Sequence, residues 1–419
     1  MVFEASELTR TLTRVRGLRD QELDYQLLRI LGLAEYGGSS VGETLAAAST
    51  VASGDPASWV RSFGALAASV EQTAAGCMAG GHLVSARDQL LRASTYYRAA
   101  GAYSEFDPVL RDEHLKAGRS CFSRAGALFD PPIRALAAPF EGALLPGYVV
   151  DPQPGTIRAG RTPDTLVAIG GFDGAAEDLY FTLGAPGAAR GWRVVVFDGP
   201  GQGGAIGADQ RLVYRPDYEV VFGAVIEELA RMGLYEPGRL ALAGLSMGSY
   251  MAACAAARGC PVDALVLDPP VVDLYAYMRA FLGSELFSTP ENLRPDDVTG
   301  MPSDLLPPQV AWGIRAVCRR FGVGSFHEWR DLLETFRLGE QVAAIACPVL
   351  GLVGSIEGEE VSSQARLVSE RLGTHFTLRR FGEDEGAEAH CQAGNRRLAA
   401  QVIYDWLDER FSGPLDTVA

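Results

Sequence analysis

The apolar positions of this chain change period once along its length. In the first third they recur every three or four residues, the spacing of one helical face. Leu23, Leu27, Leu28 and Leu31 share such a face, and Trp59, Phe63, Leu66 and Val70 repeat the pattern. Helix boundaries are written in the same stretch. Asp55-Pro56 and Asp107-Pro108 each place an acidic cap before a proline at the first helical position. Ser85-Ala86-Arg87-Asp88 has the spacing of a capping box and predicts a helix that ends near Gly101. The segment after Asp107 is predicted to be helical to Phe129, and the Asp130-Pro131-Pro132 cluster to close it. Residues 1–138 are therefore expected to be helical.

From about residue 139 the pattern becomes short apolar runs separated by helical stretches. The runs are TLVAIG (165–170), WRVVVFD (192–198), RLALAG (239–244), ALVLD (264–268), PVLGLVG (348–354) and FTLRRF (376–381). Runs of this kind, each followed by a Gly- or Asp-containing loop, predict strands of a parallel sheet covered on both faces. The fold class is α/β. About 80 residues separate the fourth run from the fifth, far more than a usual strand–helix connection. That insertion, about 270–345, carries Trp312, Phe321 and Trp329 and is expected to add helices over the C-terminal edge of the sheet. Ligand sites of open α/β sheets lie at that edge. The segment RRLAAQVIYDWLDERF predicts a last amphipathic helix.

Composition narrows the partners. The chain has 419 residues, 37 Lys and Arg against 52 Asp and Glu, and a net charge of −15. An acidic protein is repelled by nucleic acid and by anionic membranes, so neither is expected as a partner. The seven cysteines are scattered without a CxxC pair, which argues for buried thiols in a reducing cytoplasm over a disulfide framework. No apolar run reaches the length of a membrane span.

The chemistry is concentrated in Gly244-Leu245-Ser246-Met247-Gly248. It follows a predicted strand and precedes a helix of small residues, SYMAACAAA. A serine on a sharp strand-to-helix turn is the nucleophile elbow of a hydrolase, and the glycines leave room for the turn. A serine hydroxyl needs a base. Of the five histidines, His390 lies after the last predicted strand and before the last helix, where such a base belongs. His375 begins that strand, at the wrong end of the sheet, and His82 and His114 fall in the helical region. The orienting acid should follow PVLGLVG, three residues past Gly354, which gives Glu357; Glu359, and after the earlier strand Asp268, remain alternatives. An oxyanion needs N–H donors near the serine. The backbone N–H groups of Met247 and Phe172 are expected to supply them, the latter from Gly170-Gly171-Phe172-Asp173-Gly174. Asp198-Gly199-Pro200-Gly201-Gln202-Gly203 matches neither phosphate-loop nor dinucleotide spacing and reads as a tight surface turn. No metal or organic cofactor is expected, because no ligand spacing such as HExxH occurs.

Taken together, SARDQLLRASTYYRAAG, EGALLPGYVV, GGFDGAAEDLYF, DGPGQG, GLSMGS and GAEAHCQAGN resemble one group of α/β-hydrolases. Its members carry an N-terminal helical domain and include 2,6-dihydroxypseudooxynicotine hydrolase and fungal pigment enzymes that shorten a heptaketide. The resemblance covers most of the chain. It implies a mostly parallel sheet under a helical lid and a triad of serine, acid and histidine carried over to Ser246 and His390. It also implies cleavage of a C–C bond beside a ketone, or of an ester, in a small aromatic or polyketide-like substrate, and a homodimer. Elimination or cyclisation by the same base is a second expected outcome, and a binding protein that has lost catalysis is a third. Tyr96, Tyr97 and Tyr103 are expected to face the lidded pocket or to pack between helices.

Overall fold

The apolar runs of the second half form the centre of the molecule. The computed structural model describes residues 10, 11, 15, 18, 20–52, 55–157, 162–301 and 306–411. The six runs become strands β3 (Thr165–Ile169), β4 (Arg193–Phe197), β5 (Leu240–Leu245), β6 (Ala264–Asp268), β7 (Val349–Gly354) and β8 (Phe376–Phe381). They pair in parallel. Two further strands, β1 (Arg134–Phe140) and β2 (Ala143–Val150), form an antiparallel hairpin. β2 then pairs antiparallel with β4, so the sheet runs β1-β2-β4-β3-β5-β6-β7-β8. No long apolar run marks this hairpin. β1 alternates buried and exposed positions, and its Ala and Pro residues hide the period. The turn is made by Glu141 and Gly142, both at positive φ (48° and 81°). At Gly147 a Cβ would stand 2.4 Å from Val196 O, so only glycine lets β2 approach β4.

Among the described residues, five α-helices precede the sheet: α1 (Gln21–Gly32), α2 (Val41–Ala48), α3 (Pro56–Ala79), α4 (Leu83–Ala102) and α5 (Pro108–Gly126). The helical part thus ends earlier than expected, and β1 starts inside the stretch 1–138. Residues 1–9 of that stretch lie outside the described residues. Asp107 caps α5 by accepting the Leu110 N–H at 3.1 Å. Asp55 precedes α3 but makes no side-chain cap bond. The proposed box at Ser85 does not form, because α4 already begins at Leu83 and Ser85 lies inside its first turn.

The helices do not build a core of their own. Trp59, Phe63, Tyr96 and Phe122 share one apolar cluster with Tyr148, Val150 and Val194 of the sheet. The Phe122 and Tyr148 rings meet at 4.7 Å. The opposite face of the sheet is covered by helices Tyr218–Arg231, Met247–Ala257 and Gly358–Leu372, which carry Phe222, Tyr250 and Val361 into the second cluster. Burial on both faces explains why strands such as β3 and β5 are apolar throughout.

The insertion between β6 and β7 adds helices Leu274–Leu282, Ser284–Phe287, Pro308–Phe321 and Phe326–Leu333. It closes against the N-terminal helices over the C-terminal edge of the sheet. The Trp312 ring stacks on Tyr103 at 5.0 Å and 18°, and its indole N–H donates to Ala102 O at 3.0 Å. Of the three tyrosines, Tyr103 alone reaches the space beneath. Tyr96 is buried between helices with its hydroxyl on Glu43 at 2.9 Å, and Tyr97 bonds Glu71 at 3.0 Å. No described helix is long and apolar enough to cross a membrane.

Candidate active site

β5 ends in a turn that the chain can make only with glycines. Ser246 sits at φ 57° and ψ −125°, outside the ordinary L-residue regions. Such a conformation costs on the order of 1–3 kcal/mol and persists only where neighbours fix it. Here the Ser246 N–H donates to Asp268 O at 2.6 Å. Ser249 Oγ donates to Gly244 O at 2.8 Å and accepts the Asp268 N–H at 2.9 Å. A Cβ at Gly244 would lie 2.1 Å from Gly248 O, and one at Gly248 would lie 2.6 Å from Ile169 O. The turn therefore lifts the Ser246 hydroxyl clear of the sheet.

His390 follows β8 and is 3% exposed. Its Nε2 lies 2.9 Å from Ser246 Oγ. Its Nδ1 is hydrogen-bonded to Glu357 Oε1. The other carboxylate oxygen of Glu357 accepts the Gly354 N–H at 2.7 Å. Serine, histidine and one acid are thus brought into a single chain of bonds. Glu359 is exposed and pairs with Arg366. Asp268 is buried but meets Gln392 Nε2 at 3.2 Å, while its backbone carbonyl holds the elbow. His375 and His82 are exposed, and His114 packs beside the Tyr97 ring.

Burial governs the charges. It pushes the His390 imidazole down to about 3, with the Arg10 and Arg29 charges acting in the same direction. The ring is therefore neutral at neutral pH. Burial pushes the Glu357 carboxyl up to about 8, against the Gly354 N–H and the Arg10 charge, which lower it. An N–H donor on a carboxylate stabilises its ionised form, so an Nδ1–H donated to Glu357 adds to that resistance. Asp268 is raised well above the ordinary carboxyl range, by burial and then by the Glu357 charge.

The loop Gly170–Gly174 lies against the elbow. A Cβ on Gly171 would come within 2.6 Å of Ser246 Cβ. The Gly171 carbonyl accepts from Gln202 Nε2 and from the Gly174 N–H, both at 3.3 Å. Those bonds fix the peptide plane that carries the Phe172 N–H. Met247 opens the helix Met247–Ala257, so its N–H is among the donors without an intrahelical acceptor.

Gln202 corrects the reading of Asp198–Gly203 as a surface turn. Asp198 and Gln202 are fully buried. Gly201 turns at φ 87°, and a Cβ there would strike the Tyr214 ring at 2.1 Å. The motif braces the neighbouring loop, and Gln202 also donates to Gly170 O at 2.7 Å. Sequence reasoning missed further supports. The His390 N–H donates to Arg10 O at 2.9 Å, and Tyr25 Oη donates to His390 O at 3.1 Å. The Arg10 guanidinium lies 4.1 Å over the Tyr25 ring and pairs with Asp173 at 2.8 Å. No local motif around Arg10 or Tyr25 announces these contacts.

Ser246 and His390 open into a cavity of about 300 Å³. Its walls are largely aromatic and aliphatic, with Phe172, Tyr277, Phe281, Trp312 and Phe326 among them, and polar residues including Arg10, Glu22 and Gln309 also line it. Among the described residues, no group of three His, Cys, Asp or Glu side chains is arranged to hold a metal ion.

No family model matches the chain. It is 30% identical to "Hydrolase ORFZ" of Pyricularia oryzae over 94% of this chain and 97% of that protein. It is 29% identical to "Alpha/beta hydrolase psoB" of Aspergillus fumigatus over 93% of both chains. Among solved structures, that of 2,6-dihydroxy-pseudo-oxynicotine hydrolase is similar with a TM-score of 0.69 and 19% identity. The match covers 91% of this chain and 95% of that one. At that identity the likeness is one of fold.

Proposed function

The chain belongs to the α/β-hydrolase family and is a hydrolase, and within that family we propose that it uses Ser246 to attack a carbonyl carbon of a small aromatic or polyketide-like substrate. The observation that carries this reading is the 2.9 Å contact between Ser246 Oγ and His390 Nε2 at the floor of an apolar cavity. A neutral imidazole at that distance is placed to take the hydroxyl proton as the oxygen attacks. Glu357 orients the ring and stabilises the imidazolium that forms. The tetrahedral oxyanion is held by the Met247 and Phe172 N–H groups. Each such donor is worth on the order of 10²–10³ in rate.

Collapse of the intermediate breaks the bond to the leaving group, which takes the proton from His390. An ester expels an alkoxide in this step. A ketone can expel carbon only if the departing carbanion is delocalised, as an enolate or a phenol-stabilised anion. His390 then activates water, which attacks the Ser246 ester and releases the acid. The net change is addition of one water across the cleaved bond, and no step requires a cofactor. The aromatic walls favour a flat, apolar acyl or leaving group, because burial of apolar surface contributes roughly 25 cal/mol per Å².

Turnover of a panel of aryl esters, acyl-phenols and 1,3-diketones tests the reading. We expect hydrolysis within at least one class, together with fluorophosphonate labelling of Ser246. A panel without turnover, combined with an unlabelled serine, would refute it. The buried imidazole adds a pH expectation. The base must be neutral in the free enzyme, and its proton affinity is lowered below the ordinary 6.5. kcat/KM should therefore show no inflection at 6.5 from His390; an inflection nearer 8 would report protonation of Glu357, whose carboxyl is pushed up by burial. A pH–rate profile that halves near 6.5 would show that His390 is not held neutral by burial.

A further inference from the structure

A second, smaller cavity of about 70 Å³ adjoins the catalytic one, bounded by the N-terminal helices, the insertion and the start of the helix Arg396–Phe411. Its lining is strongly unbalanced in charge. Six guanidinium groups contribute to it, those of Arg29, Arg98, Arg111, Arg319, Arg320 and Arg396. They meet three carboxylates, Glu105, Asp173 and Asp178.

Those carboxylates are already engaged. Glu105 is held by Arg319 at 2.6 Å and by Arg111 at 3.1 Å. Asp178 pairs with Arg98 and lies 3.7 Å from Arg29. Asp173 pairs at 2.8 Å with Arg10, a seventh cation approaching from the catalytic side; Arg10 also meets Glu22 at 2.7 Å and Arg111 meets Asp112 at 2.9 Å, so seven guanidinium groups face five carboxylates. Arg320 donates to the Phe172 carbonyl, and Arg396 to Thr182 Oγ1 at 3.1 Å. Nitrogens are left over. Arg98 Nε and Nη1, Arg320 Nε and Arg396 Nε are buried without a hydrogen-bond partner among the described residues. The three residues that carry them are 9%, 9% and 6% exposed.

We propose that this chamber is a binding site for one small monovalent anion of the size and charge of chloride. Water would satisfy the free N–H groups but would leave the excess positive charge uncompensated, and buried charge is tolerated when paired. The neighbouring chemistry agrees. Arg396 is held below the ordinary guanidinium range by burial, with the Arg29 charge lowering it further. Arg319 is lowered by burial, with the charges of Arg320 and Arg111 acting in the same direction, whereas Arg29, lowered by burial, is raised on balance by the Asp178 and Asp173 charges beside it. An anion here would join α4, the insertion and the last helix to Asp173, the residue after Phe172. It would thus stabilise the closed arrangement of all four parts. The chamber shares Arg29, Tyr103, Asp173, Asp178 and Arg396 with the catalytic cavity, but no step of the proposed reaction passes through it.

The full-length protein, exchanged into sodium gluconate, tests the proposal. Gluconate is too large for the chamber, so chloride can replace it at constant ionic strength while thermal unfolding is followed. A ligand that binds only the folded state raises Tm with saturation. We expect a saturable rise with chloride, loss of that rise in Arg98→Met, and an anomalous-scattering peak in the chamber of crystals grown in bromide. Equal Tm in chloride and gluconate would overturn the proposal, as would a chloride response unchanged in Arg98→Met. Sodium acetate forms a further arm. A Tm rise with acetate but not with chloride would assign the chamber to a carboxylate, such as one borne by a substrate, and would also overturn the proposal. If Arg98→Met does not fold, the bromide map of the unaltered protein decides: a peak supports the site, and water alone in the chamber refutes it.

Discussion

Ser246→Ala is expected to abolish fluorophosphonate labelling and to lower kcat by about 10⁵-fold or more, with His390→Ala close behind it. The two losses should be similar because the residues act as one unit. The hydroxyl is inert without the base, and the base has nothing to deprotonate without the hydroxyl. The double variant should be no worse than either single one. Stability should change little in Ser246→Ala. Alanine keeps the Cβ and so inherits the same backbone strain, and only one side-chain hydrogen bond of about 1 kcal/mol is lost. Circular dichroism melts beside single-turnover assays make the distinction. A Ser246→Ala protein that melts normally and still turns over substrate would end the serine-nucleophile reading.

The second large effect concerns the acid. Glu357→Gln keeps the shape of the side chain but removes its charge, and its amide can present an N–H to His390 Nδ1. Nδ1 would then accept, the proton would move to Nε2, and the ring could no longer take the serine proton. We expect a fall in kcat on the order of 10³-fold or more. Glu359→Gln should stay within about twofold of the parent, since that carboxylate is exposed and its pairing with Arg366 is a surface contact. Asp268→Asn tests a different property. The Asp268 backbone holds the elbow and its side chain touches Gln392, not His390. Its loss should act on stability more than on the pH dependence of kcat. A near-normal Glu357→Gln beside a crippled Glu359→Gln or Asp268→Asn would reassign the acid.

The parts of this protein that depend on neighbours in the chain were legible in its sequence. Five strands were written as apolar runs, because a strand buried on both faces selects apolar residues continuously, while β8, an edge strand largely exposed, was legible only by its β-prone residues and place before the last helix. The elbow was legible because a turn this tight needs glycine two residues on either side of Ser246, and that need is local. His390 could be singled out because the order of strands puts it at the correct edge. Other features were set by contacts between residues far apart, which leave no local trace. β1 was missed because a strand alternating buried and exposed positions and rich in Ala does not form a run, and β2 because Pro146 and Gly147 interrupt its apolar residues. Spacing from Gly354 pointed to Glu357, but Glu359 stayed open until the start of the helix Gly358–Leu372 fixed which carboxylate turns inward. The buried place of Gln202 follows from the packing of two loops that are adjacent only in space. Arg10 meets His390 across 380 positions of sequence. The arginine chamber is likewise gathered from three separate parts of the chain, so its excess charge exists only once they are packed together.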